Sequence, residues 1–187
     1  IERVRLTPDV DNQKLDVSVF LQGDGEKLCT ARAFYRGKPV GELRLRAVGN
    51  VAVISGSLPL SELNLWDTES PELYDLELSL TAAGQMDTVK SYFGMRKIEV
   101  DALGMKLNGK RVFQKLVLDQ GYYPKGIYTA ETDKELKEDI FRSQALGFNG
   151  ARLHEKVFER RYLYWADRLG YLVWGEYPNW GFDHSRE

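Results

Sequence analysis

The sequence is poor in cysteine, nearly balanced in charge and free of long apolar runs. Its single cysteine, Cys29, excludes an internal disulfide and a thiolate metal cluster. The formal net charge of −2 provides no electrostatic footprint for nucleic acid or for an anionic membrane. No apolar stretch approaches the roughly 20 residues that cross a bilayer. We therefore expect a water-soluble chain with no nucleic-acid partner and no membrane partner.

The chain begins at Ile1, with neither an initiator methionine nor a signal-like apolar segment. The sequence therefore does not indicate a cellular compartment. At its other end, the pattern predicts strands at 115–118, 151–154 and 171–175, with helices at about 133–146 and 159–169 between them. Two parallel crossovers leave a sheet edge and helix faces uncovered. We expect a piece of a larger protein that self-associates through the incomplete sheet.

Residues 1–100 alternate between apolar and polar side chains with a period of two, as in Leu15, Val17, Val19 and Leu21. Turn signals separate these runs, and no helical pattern longer than one turn intervenes. Several short antiparallel strands in about 100 residues are typical of an immunoglobulin-like sandwich, here without its disulfide.

Residues 101–187 open with a strong hairpin signal at Asn108-Gly109, because both residue types tolerate the positive φ of a type I′ turn. Thr132 and Glu135 form a capping box that predicts the start of a helix, with Leu136, Ile140 and Phe141 on one face. Glycines end both predicted helices, at Gly147 and Gly170. The order helix, glycine, buried strand occurs twice and is typical of a βα barrel. The predicted fold class is therefore mixed: an antiparallel β-sandwich at 1–100, then an incomplete (β/α) barrel of about three strands and two helices at 101–187.

Five motifs, in a fixed order, resemble signatures of glycoside hydrolase family 2, the group of β-galactosidases, β-glucuronidases and β-mannosidases. The first two resemble the end of that family's immunoglobulin-like domain and the link after it, and the last three resemble the entry hairpin, second strand and third strand of its catalytic TIM barrel. They are the runs LWDTESPELY at 65–74, FGMRKI at 93–98, LNGK at 107–110, GFNGAR at 147–152 and DRLGYLVWGE at 167–176.

The resemblance implies a retaining glycosidase that acts on terminal β-linked sugars, is β-galactosidase-like and needs no organic cofactor. The family's general acid/base follows the fourth barrel strand and its nucleophile lies on the seventh. This sequence ends after the third strand, so we assign it no catalytic residue and expect it to be inactive alone. Residues 176–180 do not match the family's magnesium ligands, so we predict no metal.

Candidate site residues follow the three predicted barrel strands, because barrel active sites form where strands end. Arg152 and His154 follow the second strand on the same side of the chain. The resemblance makes Arg152 a candidate for holding the catalytic carboxylates through its two-pronged donor geometry, and a structural ion pair is the alternative. His154 is either a donor to a sugar hydroxyl or a structural histidine.

Asp119 and Gln120 follow the first strand and offer acceptor and amide groups to sugar hydroxyls. Tyr122 and Tyr123 could present a ring to the apolar face of a pyranose, and a loop packed on the first helix is the alternative.

Glu176, Tyr177 and Trp180 follow the third strand and are placed at the rim of the site. Glu155 and Glu176 follow adjacent strands, yet we interpret them as a helix-start acid and a structural acid rather than as a catalytic pair.

A function from another class also fits these patterns. It is a noncatalytic carbohydrate-binding or scaffolding sandwich whose second region packs as an interaction surface.

Overall fold

The computed structural model describes residues 1–179, so the candidate Trp180 lies outside the described residues. Among these residues the chain forms thirteen strands and two helices: β1 Arg3–Asp9, β2 Lys14–Phe20, β3 Lys27–Tyr35, β4 Lys38–Ala47, β5 Val53–Pro59, β6 Tyr74–Ala82, β7 Gln85–Phe93, β8 Ile98–Asp101, β9 Gly104–Leu107, β10 Lys110–Arg111, β11 Leu116–Asp119, α1 Asp133–Ala145, β12 Gly150–Leu153, α2 Arg160–Leu169 and β13 Leu172–Gly175.

The chain divides into two compact units. The first contains Ile1–Asp67 and Glu72–Arg111, and the second contains Thr68–Pro71 together with the described residues from Val112 onward. The first unit therefore runs past residue 100 and includes the Asn108-Gly109 hairpin. No described helix is long and apolar enough to cross a membrane.

The sheets of the first unit are antiparallel. One sheet has the strand order β4-β3-β6-β7, a second has β1-β2-β5, and a small sheet has β10-β9-β8. The alternating side chains of β2, β3, β5 and β6 meet in one apolar core, in which Leu15, Ala33, Leu58 and Leu78 have no exposed surface. Two sheets that share one core form a sandwich, so the period-two pattern predicted the layers of this unit correctly.

Three of the five sequence motifs meet around one buried tryptophan of the first unit. Trp66 is 1% exposed and its backbone N–H donates to the Met95 carbonyl at 2.9 Å. The Arg96 guanidinium lies 4.5 Å from the centre of the Trp66 ring. Asn108 donates through Nδ2 to the Trp66 carbonyl at 3.0 Å and accepts from Lys97 N–H at 2.9 Å. These motif residues therefore have structural roles.

The second unit contains a parallel sheet in the order β11-β12-β13. Helix α1 begins with the predicted capping box, in which Thr132 accepts from the Glu135 N–H and Glu135 accepts from the Thr132 N–H. Gly170 ends α2 in the left-handed conformation at φ +68°. The predicted strands and helices are confirmed to within a residue or two at each end, because the signals that set them are local.

One side chain of α1 differs from the sequence prediction. Leu136 and Ile140 are fully buried, as expected, but Phe141 is 51% exposed. Successive positions on a helix are separated by about 100°, so a neighbour of Ile140 falls at the margin of the apolar stripe and can turn outward.

Candidate functional site

The parallel sheet of the second unit has one covered face and one open face. Val117, Ala151 and Val173 are paired in register and contribute to the apolar cluster that includes Leu136 of α1 and Tyr162 of α2. The next row in register consists of Leu118, Arg152 and Trp174, and these residues are exposed. Side chains alternate between the two faces of a strand, so this row lies on the face opposite the helices.

Arg152 and Glu176 form an ion pair on this open face. Arg152 Nε donates to Glu176 Oε1, and the Glu176 side chain is only 18% exposed whereas that of Arg152 is 49% exposed. The hydrogen bond from Arg152 holds the pKa of Glu176 below its usual value, and the backbone N–H of Glu155 adds to this effect. That N–H donates to Glu176 Oε2 at 3.3 Å. Both oxygens of Glu176 therefore accept hydrogen bonds, and the carboxylate is held in its ionised form.

Gln120 and His154 form the neighbouring polar pair. Gln120 Nε2 lies 3.1 Å from His154 Nδ1. The backbone N–H of His154 donates to the Asp119 carbonyl at 2.8 Å, which extends the ladder between β11 and β12 by one residue. The Gln120 and His154 side chains therefore lie together just past the carboxyl ends of two adjacent strands.

Three potential metal-ligand atoms of His154, Glu155 and Glu176 lie within 4.8 Å of one another. Glu176 already accepts from Arg152 and from the Glu155 backbone. Glu155 accepts from the Asn179 N–H at 2.8 Å. Because protein donors already engage both carboxylates, we assign no metal to this cluster.

The structure separates Asp119 from the Gln120–His154 pair. Asp119 Oδ1 accepts from the Gly121 N–H at 2.7 Å. The Asp119 charge contributes to the raised pKa of Tyr162, whose main cause is burial of that tyrosine against the sheet. Asp119 therefore forms a hydrogen bond within its own loop and lies on the face of the sheet that the helices cover. Its position between Leu118 and Gln120 in the alternation requires this face.

The candidate aromatic residues differ in the exposure of their side chains. Tyr123 is 7% exposed, and burial is the first cause of its raised pKa, so it cannot offer a ring to a sugar. Tyr122 is 66% exposed and its ring lies 5.2 Å from that of Tyr128, centre to centre. Tyr177 is 81% exposed. Of the two tyrosines proposed for stacking, the structure leaves only Tyr122 accessible.

Lys156 and Asn149 organise this region, and the sequence analysis assigned neither of them a role. Lys156 Nζ donates to two carbonyls of the loop between β11 and α1. Asn149 accepts through Oδ1 from the Lys115 N–H at 2.8 Å and donates through Nδ2 to the Phe113 carbonyl at 2.9 Å. For Asn149 the available signal was a polar residue directly before the buried strand β12, since a side chain there can reach backbone groups of neighbouring segments. Lys156 stands three residues beyond β12, and no local pattern indicated its contacts.

Comparison with known proteins gives a consistent family. The family model described as glycosyl hydrolases family 2 matches residues 1–96. A β-galactosidase of Thermoanaerobacterium thermosulfurigenes is 25% identical over 128 residues, which is 68% of this chain and 18% of that protein. A putative β-glucuronidase of Formosa agariphila is 32% identical over 116 residues, which is 61% of this chain and 14% of that protein.

Solved structures share the fold across both units. A glycosyl hydrolase family 2 member from Bacteroides cellulosilyticus superposes with a TM-score of 0.81 at 24% identity, covering 91% of this chain and 25% of that one. A β-glucuronidase of Parabacteroides merdae has a TM-score of 0.80 at 22% identity, covering 94% of this chain and 23% of that one. The chain thus spans less than a fifth of these two curated relatives and about a quarter of these structures. Since the family model matches more than half of its residues, the chain belongs to glycosyl hydrolases family 2.

Proposed function

We propose that this chain is part of a retaining glycosidase that hydrolyses terminal β-linked sugars, and that it contributes one side of the substrate site. The observation that carries the proposal is the arrangement of Arg152, Glu176, Gln120 and His154 at the carboxyl ends of three adjacent parallel strands. Active sites of βα barrels form at that end of their strands. Family membership supports the reaction class.

In this proposal the second unit is the first part of a βα barrel, and the first unit is an immunoglobulin-like sandwich. The helices cover one face of the parallel sheet, and the face that carries Leu118, Arg152 and Trp174 would be the barrel interior. Further strands would then bring the two catalytic carboxyl groups to the edge where Arg152 and His154 lie.

Each polar residue has a distinct proposed task. The Arg152 ion pair uses Nε, which leaves its two terminal nitrogens as donors toward a carboxylate or a sugar hydroxyl. Glu176 fixes the plane of that guanidinium. Gln120 and His154 would bind sugar hydroxyls as a coupled pair. Tyr122, Tyr177 and Trp180 are proposed rim contacts, and Asp119 supports the site through its loop.

The chain itself supplies no catalytic pair in this proposal. A retaining mechanism needs two carboxyl groups about 5 Å apart, one of which must carry a proton to the leaving oxygen. Glu155 and Glu176 have oxygens within 4.8 Å of each other. However, Arg152 stabilises the charged form of Glu176 and lowers its pKa, which is the wrong direction for a general acid.

The decisive experiment uses the full-length protein that contains this chain. It should hydrolyse a 4-nitrophenyl β-glycoside of galactose, glucuronic acid or mannose, and proton NMR should show the β-anomer as the first product. The purified 187-residue chain should hydrolyse none of them. Turnover by this chain that survives repurification and disappears in Glu176→Gln would refute the assignment of catalysis to residues elsewhere. A full-length protein that binds sugar but hydrolyses none of these glycosides would instead support the noncatalytic module.

A further inference from the structure

We infer that Lys156 is a positioning residue that holds the β11–α1 loop, residues 120–128, and thereby sets the Gln120–His154 pair and the Tyr122 ring toward the substrate. This inference rests on the proposed glycosidase function. It adds a residue that contacts no reacting atom and acts through a loop at the edge of the site.

Lys156 contacts this loop at both ends. Its ammonium donates to the Gly121 carbonyl at 2.9 Å and to the Tyr128 carbonyl at 2.6 Å. The same nitrogen lies 4.0 Å from the centre of the Tyr128 ring and 4.8 Å from that of Phe158. A lysine ammonium has three donors, and here two of them connect backbone groups that are seven positions apart in sequence. A charged donor forms stronger hydrogen bonds than a neutral one.

The loop is built to receive this ammonium. Tyr123 and Ile127 exchange two backbone hydrogen bonds of 2.9 and 3.0 Å, which close the loop between the two carbonyls that Lys156 binds. Gly121 has φ +66°, and a Cβ at this position would lie 2.6 Å from Lys156 Nζ and 2.9 Å from the Phe158 ring. Only glycine therefore leaves room for the ammonium next to the backbone.

The loop that Lys156 fixes carries the groups proposed to contact sugar. Gln120, directly before Gly121, lies 3.1 Å from His154, and Tyr122, directly after it, is the exposed ring. Burial lowers the pKa of Lys156, whereas the charges of Glu159 and Asp119 favour its protonated form. Because the ammonium holds the loop backbone at Gly121, its loss should allow Gln120 and Tyr122, on either side of Gly121, to move away from these positions.

The test uses Lys156→Met in the full-length protein, since methionine retains an unbranched apolar stem but donates no hydrogen bond. Lys137→Met is the matched control, because Lys137 Nζ lies 4.6 Å from the centre of the Trp165 ring in the same unit, and this variant removes an ammonium from helix α1 rather than from the β11–α1 loop. Hydrogen–deuterium exchange of the peptide over 120–129 measures the loop. The values of kcat and KM are measured on whichever 4-nitrophenyl β-glycoside the wild type hydrolyses.

We expect faster exchange in the 120–129 peptide of Lys156→Met, with unchanged exchange in α1 and α2. We also expect kcat/KM to fall about tenfold, chiefly through KM, because the variant loses both charge-assisted hydrogen bonds that position the loop. Lys137→Met should resemble the wild type in both measurements. A purely structural role of Lys156 would change the melting temperature and leave KM unchanged.

Three outcomes would overturn the inference. The first is unchanged loop exchange in Lys156→Met. The second is faster exchange with unchanged kcat/KM, which reduces Lys156 to a structural contact. The third is a wild-type protein in which the Tyr123 and Ile127 amides exchange without protection, and this measurement needs no variant to fold. A wild type that hydrolyses no glycoside refutes the proposed function itself, whereas hydrolysis that is insensitive to Lys156→Met refutes only the role of Lys156.

Discussion

Replacing Gly170 with alanine should destabilise the second unit more than the same change at Gly147. Both glycines follow a helix in the left-handed region, with φ +68° at Gly170 and +88° at Gly147. A Cβ at Gly147 would meet nothing within 4 Å. A Cβ at Gly170 would lie 2.4 Å from the Thr68 carbonyl oxygen and 2.9 Å from the Thr68 carbonyl carbon. The two variants therefore share a backbone cost and differ in one steric clash.

The expected free energies follow from this difference. Placing a residue with a Cβ in the left-handed region costs roughly 1–2 kcal/mol, and this term applies to both variants. Forcing backbone atoms apart in a packed region costs typically about 1–3 kcal/mol, and this term applies only to Gly170→Ala. The φ of Gly147 is the further of the two from the left-handed minimum near about +57°, so the backbone term alone would make Gly147→Ala the costlier variant.

Urea unfolding of the 187-residue chain, followed at the helix band of the circular dichroism spectrum, measures this difference. Both described helices belong to the second unit, so the signal reports on that unit. The free energy of unfolding should fall by about 1–3 kcal/mol more in Gly170→Ala than in Gly147→Ala. Equal losses, or a larger loss in Gly147→Ala, would show that Thr68–Pro71 does not pack against the end of α2.

Three further predictions concern charge, catalysis and association. Burial raises the pKa of Asp139 above its ordinary 3.8, so folding binds a proton, and stability falls as the pH rises through the unfolded and then the folded pKa. Asp139→Asn should therefore raise the melting temperature at pH 7 and give no gain below about pH 3.8. An equal gain at both pH values would contradict this cause. Arg152→Lys in the full-length protein keeps the charge but loses the fixed geometry with Glu176, so kcat should fall ~10²-fold. A kcat near that of the wild type would show that Arg152 has only a structural role. The 187-residue chain exposes 53% of Leu118 and 55% of Trp174 on the open sheet face, so light scattering should show self-association. A monomeric chain that binds no hydrophobic dye would contradict this prediction.

The local elements were predictable because their signals lie within a few residues. Asn108 and Gly109 adopt φ +53° and +75° between β9 and β10, as the hairpin signal required. Thr132 and Glu135 cap α1 as their spacing indicated. A turn or a cap is decided by hydrogen bonds between groups three or four positions apart, so these residues determine it whatever the rest of the chain does.

The irregular loops were not predictable in the same way. The alternation of a strand does not continue through residues 120–128, so the sequence could not determine that Tyr122 is exposed while Tyr123 is buried. Likewise, Glu155 adopts φ +53°, and its N–H meets Glu176. A non-glycine residue at positive φ is uncommon and follows from surrounding contacts, which a local pattern does not contain.

The sequence by itself determined the sandwich strands, the strand–helix order of the second unit and the ends of the strands at which polar side chains gather. Tertiary structure alone decided which of those side chains meet: Arg152 with Glu176, separated by 24 positions, and Gln120 with His154, separated by 34. Asp119 turns away from them, although it directly precedes Gln120 in the chain. The physical reason is that β11, β12 and β13 are aligned by hydrogen bonds between distant segments, and that register, with the alternation of side chains between two faces, fixes which groups come together.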